Sequence, residues 1–180
     1  MAAYALQLCI LTATRSGEVR GAVWSEFDLE KKIWTIPASK MKAGSEHRIP
    51  LSEPALTVLK KMMPFAEGKD ALVFPSLRKK AKLSDMALSA LVRGMNEVKD
   101  GDTIPWLAND SRPIVVHGFR SSFRDWCEEE TSTPRAVSEA ALAHSVESKV
   151  EAAYNRTDHF EKRRVLMDLW AKHCYRQKVV

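Results

Sequence analysis

The chain opens with an apolar repeat at helical spacing. Tyr4, Leu8 and Leu11 recur at intervals of three and four residues, so one face of a helix carries all three. We expect this helix to end near Thr14 and a second, short helix to begin at Ser16. The apolar run is far shorter than the roughly 20 residues that span a bilayer. It therefore predicts a buried helix rather than a membrane anchor.

The repeat then changes from helical to extended. Residues 33–36 (IWTI) are β-branched and aromatic, and a second apolar stretch at 48–51 (RIPL) follows a turn that contains Gly44. Lys42 lies close to that turn. These segments predict a small antiparallel hairpin or three-stranded sheet.

Helical repeats dominate the rest of the chain. Ser52 and Pro54 are typical of a helix start. Further helices are expected at 84–98, 117–130, 134–143, 148–154 and 159–176, with an extended piece at 72–75 and a polar loop at 99–113. In the last helix, Leu166, Leu169 and Trp170 form one stripe. The predicted fold class is α+β and mostly α-helical, with a small antiparallel three-stranded sheet or hairpin on one edge.

The composition bears on the number of domains, the charge of the partner and the role of the cysteines. The 180 residues fit one domain, and 28 Lys and Arg against 23 Asp and Glu give a net charge of +5, which favours a polyanionic partner only weakly. Three cysteines form no Cys-x-x-Cys pair, so free thiols in a reducing cytosol are expected rather than a zinc or disulfide site.

Five cation-capable side chains followed by one phenol carry the candidate chemistry. A guanidinium holds two phosphate oxygens at once and stays charged near neutral pH. A phenol with a pKa near 10 is a poor nucleophile alone, but it can attack phosphorus among several cations and a base. In chain order the six residues are Arg15, Lys42, His117, Arg120, His144 and Tyr154.

Each of these residues also has a purely structural explanation. Arg15 can form an ion pair with Glu18, one helical turn later, and most loop lysines such as Lys42 are simply solvated. His144 can interact with the dipole at a helix C-terminus. Only the ordered set favours a phosphodiester site.

Six short phrases in this order carry a family resemblance across nearly the whole chain. They are residues 14–18 (TRSGE), 41–44 (MKAG), 47–51 (HRIPL), 117–120 (HGFR), 142–144 (LAH) and 153–156 (AYNR). With these phrases the chain resembles the catalytic domain of the tyrosine recombinases, the phage integrase family. It is most similar to integrases of prophages and genomic islands.

The resemblance implies a role for each matching position. Arg15 and Arg120 would bind the nonbridging oxygens of the scissile phosphate, and His144 would donate a hydrogen bond to the same group. Lys42 would act as general acid on the 5′-hydroxyl leaving group.

The two remaining positions would supply the attack. Tyr154 would attack phosphorus to form a 3′-phosphotyrosyl link, and His117 would accept the phenol proton or orient the ring. Such a link retains the energy of the broken phosphodiester, so no nucleotide cofactor is expected. No metal is expected either, because two arginines and a lysine can supply the charge that other phosphoryl transferases obtain from Mg²⁺.

The same resemblance implies the wider context. Residues 1–180 would be the catalytic domain, and the N-terminal DNA-binding domains of a full protein would be absent from this chain. Expected partners are double-stranded DNA attachment sites, a homotetramer in the synaptic complex, a monomer when isolated, and accessory DNA-bending proteins. We expect the cytoplasm of a bacterial cell and no membrane.

Two other functions stay open at this point. A type IB topoisomerase would use the same chemistry but reseal the same strand, and a catalytically inactive DNA-binding or assembly module would use none of it. Under any of the three functions, the basic clusters at 31–32, 78–82 and 162–164 are candidate contacts for DNA phosphates.

Overall fold

A computed structural model describes residues 1–76, 80–97, 106–108, 111–144 and 158–176. Within those ranges the fold is α+β and mostly helical, as the apolar repeats predict. The helices are α1 (Ala2–Thr12), α2 (Ser16–Arg20), α3 (Glu53–Met62), α4 (Ala87–Asn96), α5 (Gly118–Glu130), α6 (Arg135–Ala141) and α7 (Phe160–Cys174). The strands are β1 (Phe27–Asp28), β2 (Ile33–Ile36) and β3 (His47–Pro50).

The three strands form one antiparallel sheet in the order β1-β2-β3. Trp34 pairs with Ile49 and Ile36 pairs with His47, which fixes the register of the central hairpin. Side chains alternate between the two faces of a strand. Trp34 and Ile36 are accordingly buried, whereas Thr35, the residue between them, is only half-buried. The predicted sheet is confirmed.

Two hydrophobic clusters share the interior. The larger one joins α1, α3 and α4 to the sheet, and the smaller one lies among α5, α6 and α7. The smaller cluster contains Phe123, Trp126 and Trp170, whose ring centroids lie 5.1–6.2 Å apart. Aromatic side chains of this size contribute large buried areas. The two clusters meet at the end of α1, where Ile10 packs against both.

Helix α7 packs on this chain's own α1, α6 and β3. The indole nitrogen of Trp170 donates a 2.8 Å hydrogen bond to the backbone oxygen of Ile10. The predicted stripe is partly wrong, because Leu169 is 42% exposed whereas Leu166 and Trp170 are buried. The buried face instead includes the charged Arg163, a residue type that a hydrophobic repeat does not assign to a core.

Some predicted boundaries differ from the observed ones. Ser52 directly precedes α3, but its buried hydroxyl makes no hydrogen bond with any described residue. Helix α4 begins at Ala87, three residues later than expected. The helix predicted at 148–154 lies outside the described residues. Among the residues that are described, no helix has the length and apolar character needed to cross a membrane.

Candidate active site

Arg15 lies in the short connection between α1 and α2. Its Nη1 is 3.0 Å from Oε1 of Glu18, and its backbone N–H donates a 2.8 Å hydrogen bond to Oε2 of the same carboxylate. The bond from the Arg15 N–H to the Glu18 carboxylate is the one that the acidic residue of a capping box forms. One third of the Arg15 side chain stays exposed. Glu18 thus orients the guanidinium and leaves part of it open to a ligand.

Arg120, in the first turn of α5, is 6% exposed. Its Nη1 donates to the backbone oxygen of Ala13, and its Nη2 donates over 2.8 Å to the backbone oxygen of Leu142. Burial, together with the nearby charge of Arg15, lowers the pKa of Arg120. A guanidinium stays protonated near neutral pH nevertheless. The structure therefore brings the two arginines into one region, with Arg120 hydrogen-bonded to the residue two positions before Arg15.

His144 follows the end of α6 and faces Arg120. Its Nε2 lies 3.4 Å from Nη2 of Arg120, and its Nδ1 lies 2.6 Å from Oε2 of Glu139. The backbone reaches this position because Ala143 has a left-handed conformation, with φ at 49°. The N–H of His144 then bonds to the oxygen of Glu139 over 3.1 Å, as in a Schellman motif. Arg15, Arg120 and His144 are thus gathered on one side of the molecule.

The last turn of α6 is held by basic side chains from three elements. Unpaired carbonyls at a helix C-terminus favour cationic donors. Three successive residues there receive one side-chain contact each, two from cationic guanidinium groups and one from an imidazole: Ala140 from Arg163 in α7 (3.4 Å), Ala141 from His47 in β3, and Leu142 from Arg120 in α5 (2.8 Å). We name this arrangement the triple cap. It fixes the backbone that leads directly into His144.

His47 in the triple cap is buried close to three arginines. Burial lowers its pKa from 6.5 to about 4, and the positive charges of Arg163, Arg120 and Arg15 act in the same direction. A hydrogen bond to the backbone of Ala141 opposes them only in part. The imidazole is therefore neutral near neutral pH and serves as a structural hydrogen-bonding group.

Among the described residues, no side-chain hydrogen bond or ion pair joins Lys42 or His117 to Arg15, Arg120 or His144, although the backbone oxygen of His117 accepts a 3.0 Å hydrogen bond from the N–H of Arg120. Lys42 lies on the exposed turn between β2 and β3, where Gly44 has a φ of 66°. Its ammonium makes no hydrogen bond or ion pair with any described residue. His117 directly precedes α5 and is exposed, one helical turn from Arg120. Tyr154 lies outside the described residues, and its role stays a prediction.

The start of α7 is tied to β3 by charge. Asp158 Oδ2 lies 2.6 Å from Nη2 of Arg48 and 3.3 Å from Nη2 of Arg163. Burial alone would raise the pKa of Asp158, but the hydrogen bond from Arg48 and the charges of Arg163 and Arg48 hold it below its usual range. The guanidinium groups of Arg48 and Arg163 lie 4.7 Å and 5.6 Å from the ring centroid of Phe160. Arg163 is 1% exposed, so the expectation that it contacts DNA is wrong.

Three residues around the candidate site are not predicted from the sequence. Glu139 lies five positions before His144, a spacing that does not align two residues on one helix face. The contact depends on the left-handed turn at Ala143, an alanine in a conformation usual for glycine. His47 and Arg163 are recognisable only from the tertiary fold, because nothing local distinguishes them from solvated surface residues. A histidine within the family phrase 47–51 is the single available hint.

Metal and thiol chemistry have little support in the described part of the chain. No group of three or more His, Cys, Asp or Glu side chains converges there as metal ligands would. Cys9 and Cys127 are free and buried, and burial raises the pKa of both thiols to about 12. A thiol of that kind is not a nucleophile near neutral pH. The expectation of free cysteines is confirmed for these residues.

Two oriented arginines beside a histidine supply hydrogen-bond donors of the kind that suit a phosphate group, and similarity to known proteins decides the family. Residues 2–160 match the model of the phage integrase family. The chain belongs to this family. The family match covers Arg15, Lys42, His117, Arg120, His144 and Tyr154.

Curated members of the phage integrase family align over most of this chain. Prophage integrase IntA of Escherichia coli (strain K12) is 34% identical over 165 residues, which are 90% of this chain and 36% of that protein. The integrase of Enterobacteria phage P4 is 32% identical over 187 residues, 96% of this chain and 40% of that protein. The chain thus spans about 40% of the length of these relatives.

Solved structures of integrases share the fold. The integrase from mycobacterium phage Brujita superposes with a TM-score of 0.66 at 14% identity, over 99% of this chain and 54% of that one. A lambda integrase tetramer bound to a Holliday junction gives a TM-score of 0.57 at 18% identity, over 82% and 42% of the two chains. At these identities the likeness concerns the fold.

Proposed function

We propose that this chain is the catalytic domain of a site-specific DNA recombinase. It cuts and rejoins DNA strands through a 3′-phosphotyrosyl intermediate and thereby integrates or excises a mobile element. The observation that carries the proposal is the convergence of Arg15, Arg120 and His144 in a member of the phage integrase family.

The arginines are prepared for a doubly charged transition state. Arg120 uses one hydrogen bond from each terminal nitrogen for backbone oxygens, and a guanidinium has five N–H donors in all. The remaining donors of Arg120 and the exposed part of Arg15 bind the nonbridging phosphate oxygens. Donors that are already oriented need no reorganisation during the reaction, which is why such groups contribute strongly to catalysis.

The other three residues complete the transfer. The oxygen of Tyr154 attacks phosphorus, the bond from phosphorus to the 5′-oxygen breaks, and His117 accepts the phenol proton. Lys42 gives a proton to the departing 5′-oxygen. The exposed turn that carries Lys42 suits a group that reaches a ligand outside the protein surface. A 5′-hydroxyl reverses the steps, so neither a nucleotide cofactor nor a metal is required.

The proposed partner is double-stranded DNA at an attachment site. Related folds support this: a lambda integrase tetramer is bound to a Holliday junction, and the Tn1549 transposon integrase is in complex with circular intermediate DNA. We propose the same kind of tetramer for the synaptic complex of this protein, and a monomer when it is isolated. Accessory DNA-bending proteins and a location in the bacterial cytoplasm belong to the same proposal.

A suicide substrate tests the reaction. The chain is incubated with a nicked duplex that carries a candidate attachment site, so that loss of a short fragment traps any covalent adduct. The native chain should give a denaturation-resistant adduct, and Tyr154→Phe should give none. The chain has only two other tyrosines, so Tyr4→Phe and Tyr175→Phe are matched controls that should keep the adduct.

The outcome also separates the other two functions. If the native chain and Tyr154→Phe both fail to form the adduct when the N-terminal portion is restored, the chain is an inactive DNA-binding or assembly module. If the adduct forms but the protein relaxes supercoiled DNA without recombinant products, the chemistry belongs to a type IB topoisomerase.

A further inference from the structure

Glu139, on the last turn of α6, is the acidic group that contacts His144. Its Oε2 lies 2.6 Å from Nδ1 of the imidazole, a distance typical of a charge-assisted hydrogen bond. A carboxylate accepts hydrogen bonds and donates none, so the proton between these atoms belongs to Nδ1. The opposite ring nitrogen, Nε2, then faces Arg120.

The carboxylate of Glu139 is itself oriented from two elements. Its Oε1 lies 2.9 Å from Nε of Arg124 in α5 and 3.9 Å from Nε of Arg135 in α6. The two oxygens are thus divided, with Oε1 toward the arginines and Oε2 toward the imidazole. Only one fifth of the Glu139 side chain is exposed. The carboxylate is therefore a fixed acceptor rather than a solvated surface charge.

A backbone hydrogen bond also joins Glu139 and His144. The N–H of His144 donates to the backbone oxygen of Glu139 over 3.1 Å, and the triple cap fixes the turn between them. Backbone and side chain together leave the imidazole little freedom to rotate. A histidine ring held through one nitrogen presents the other nitrogen in a defined direction.

We propose that Glu139 is a positioning residue, which holds His144 by Nδ1 so that Nε2 faces the DNA phosphate bound by Arg120. This inference rests on the proposed recombinase function. In the free protein Nε2 accepts a hydrogen bond from Arg120. In the complex the ring stays anchored to Glu139 through Nδ1, and its Nε2 lies against a nonbridging phosphate oxygen.

The ring contact is measured without DNA. Nitrogen-15 NMR of the histidine-labelled chain distinguishes protonated from bare ring nitrogens, and His144→Asn identifies the His144 signals among the five histidines. At a pH where the ring is neutral, we expect the proton on Nδ1. Glu139→Gln should redistribute it, because an amide can donate to Nδ1 as well as accept from it. A native ring that carries its proton only on Nε2, or no change in Glu139→Gln, would overturn the proposal.

Glu128 supplies the matched control. It lies in α5, pairs with Arg124 at 3.8 Å and is 72% exposed. Glu128→Gln removes the same charge from the same arginine without a contact to His144. The proton should stay on Nδ1 of His144 in this variant. A redistribution as large as that in Glu139→Gln would show that net charge, rather than contact with Glu139, determines which ring nitrogen of His144 carries the proton.

A double-mutant cycle tests the consequence for DNA. Replacing the partner that orients a metal-ligating histidine typically changes affinity or activity about 10- to 100-fold, and by analogy we expect Glu139→Gln to slow adduct formation to that extent. Glu139→Asp should recover part of the rate. In a His144→Asn background the additional effect of Glu139→Gln should vanish. An effect of the same size in that background would mean that Glu139 acts only through the fold.

The two proposals fail separately. A chain that shows the Nδ1 proton but forms no adduct contradicts the recombinase function and leaves the ring contact intact. A chain that forms the adduct with the ring proton only on Nε2 contradicts the positioning role of Glu139 alone.

Discussion

Arg120 donates a 2.8 Å hydrogen bond to the backbone oxygen of Leu142, two positions before His144. The same guanidinium bonds to the oxygen of Ala13, two positions before Arg15. Arg120 therefore connects the two segments that carry the other phosphate-binding candidates. Its loss should affect both the fold and the chemistry.

Replacing Arg120 with lysine separates charge from geometry. Lysine keeps the positive charge but cannot reach both backbone oxygens and a phosphate at once. We expect Arg120→Lys to slow adduct formation about 10²- to 10³-fold, the usual cost of one oriented donor. An unpaired buried oxygen should lower the free energy of unfolding by about 1–3 kcal/mol. Arg93→Lys, on the exposed face of α4, is the control for urea denaturation and the adduct assay.

Lys42 and Lys40 allow a comparison of two lysines on one connection. Lys40 pairs with the buried Glu26 and donates over 2.9 Å to the backbone oxygen of Gly21. Lys40→Ala should therefore lower the free energy of unfolding by about 1–3 kcal/mol. Lys42→Ala should change it by less than about 0.5 kcal/mol.

The adduct assay should give the opposite order for the two lysines. Loss of a general acid typically costs about 10²- to 10⁴-fold in rate, so Lys42→Ala should form the adduct far more slowly. Lys40→Ala should form it at a near-native rate below its melting temperature. Equal rates for the Lys42→Ala variant and the native chain would remove Lys42 from the mechanism.

His47 makes stability depend on pH. Its pKa is about 4 in the folded chain and near 6.5 in the unfolded chain, so between these values only the unfolded chain takes up the proton. The free energy of unfolding should fall by on the order of 3 kcal/mol as the pH drops from 6.5 to 4. His47→Gln should lose this component. Denaturation of both proteins at several pH values measures it, and parallel curves would contradict the assignment.

Asp158 compensates the charge of a buried arginine. Asp158→Asn leaves Arg163, which is 1% exposed, without its carboxylate. Because Asp158 itself is half-exposed, we expect a moderate loss of about 1–3 kcal/mol in the free energy of unfolding. Glu161→Gln breaks an exposed pair with Arg164 and should change stability by less than about 0.5 kcal/mol. Thermal denaturation of the two variants should differ accordingly, and equal melting temperatures would argue against the pair.

Much of the fold follows from the sequence because local repeats determine it. The helices that begin near Ser16 and Gly118 and the strand pair around Trp34 are predicted from local residue patterns and turn residues. The prediction that Leu169 is buried is wrong. The stripe places it inside, whereas the core accepts Arg163 instead, since α6 offers a carbonyl and Asp158 a carboxylate to that guanidinium.

The residues of the candidate site are likewise only partly predictable from the sequence. Arg15, Arg120 and His144 are found in the sequence because each belongs to a recognisable phrase. Glu139 is not, because its contact requires an alanine in a left-handed conformation. Helix propensity and hydrophobic period contain no information on such a turn.

The triple cap makes the position of His144 depend on distant parts of the chain. Its three donors come from α5, β3 and α7, which lie far apart in the chain, and all must be docked before the turn that holds His144 is fixed. A chain in which any of these three elements has not yet docked therefore holds His144 less firmly. The position of this imidazole is thus one of the last features of the fold to become fixed.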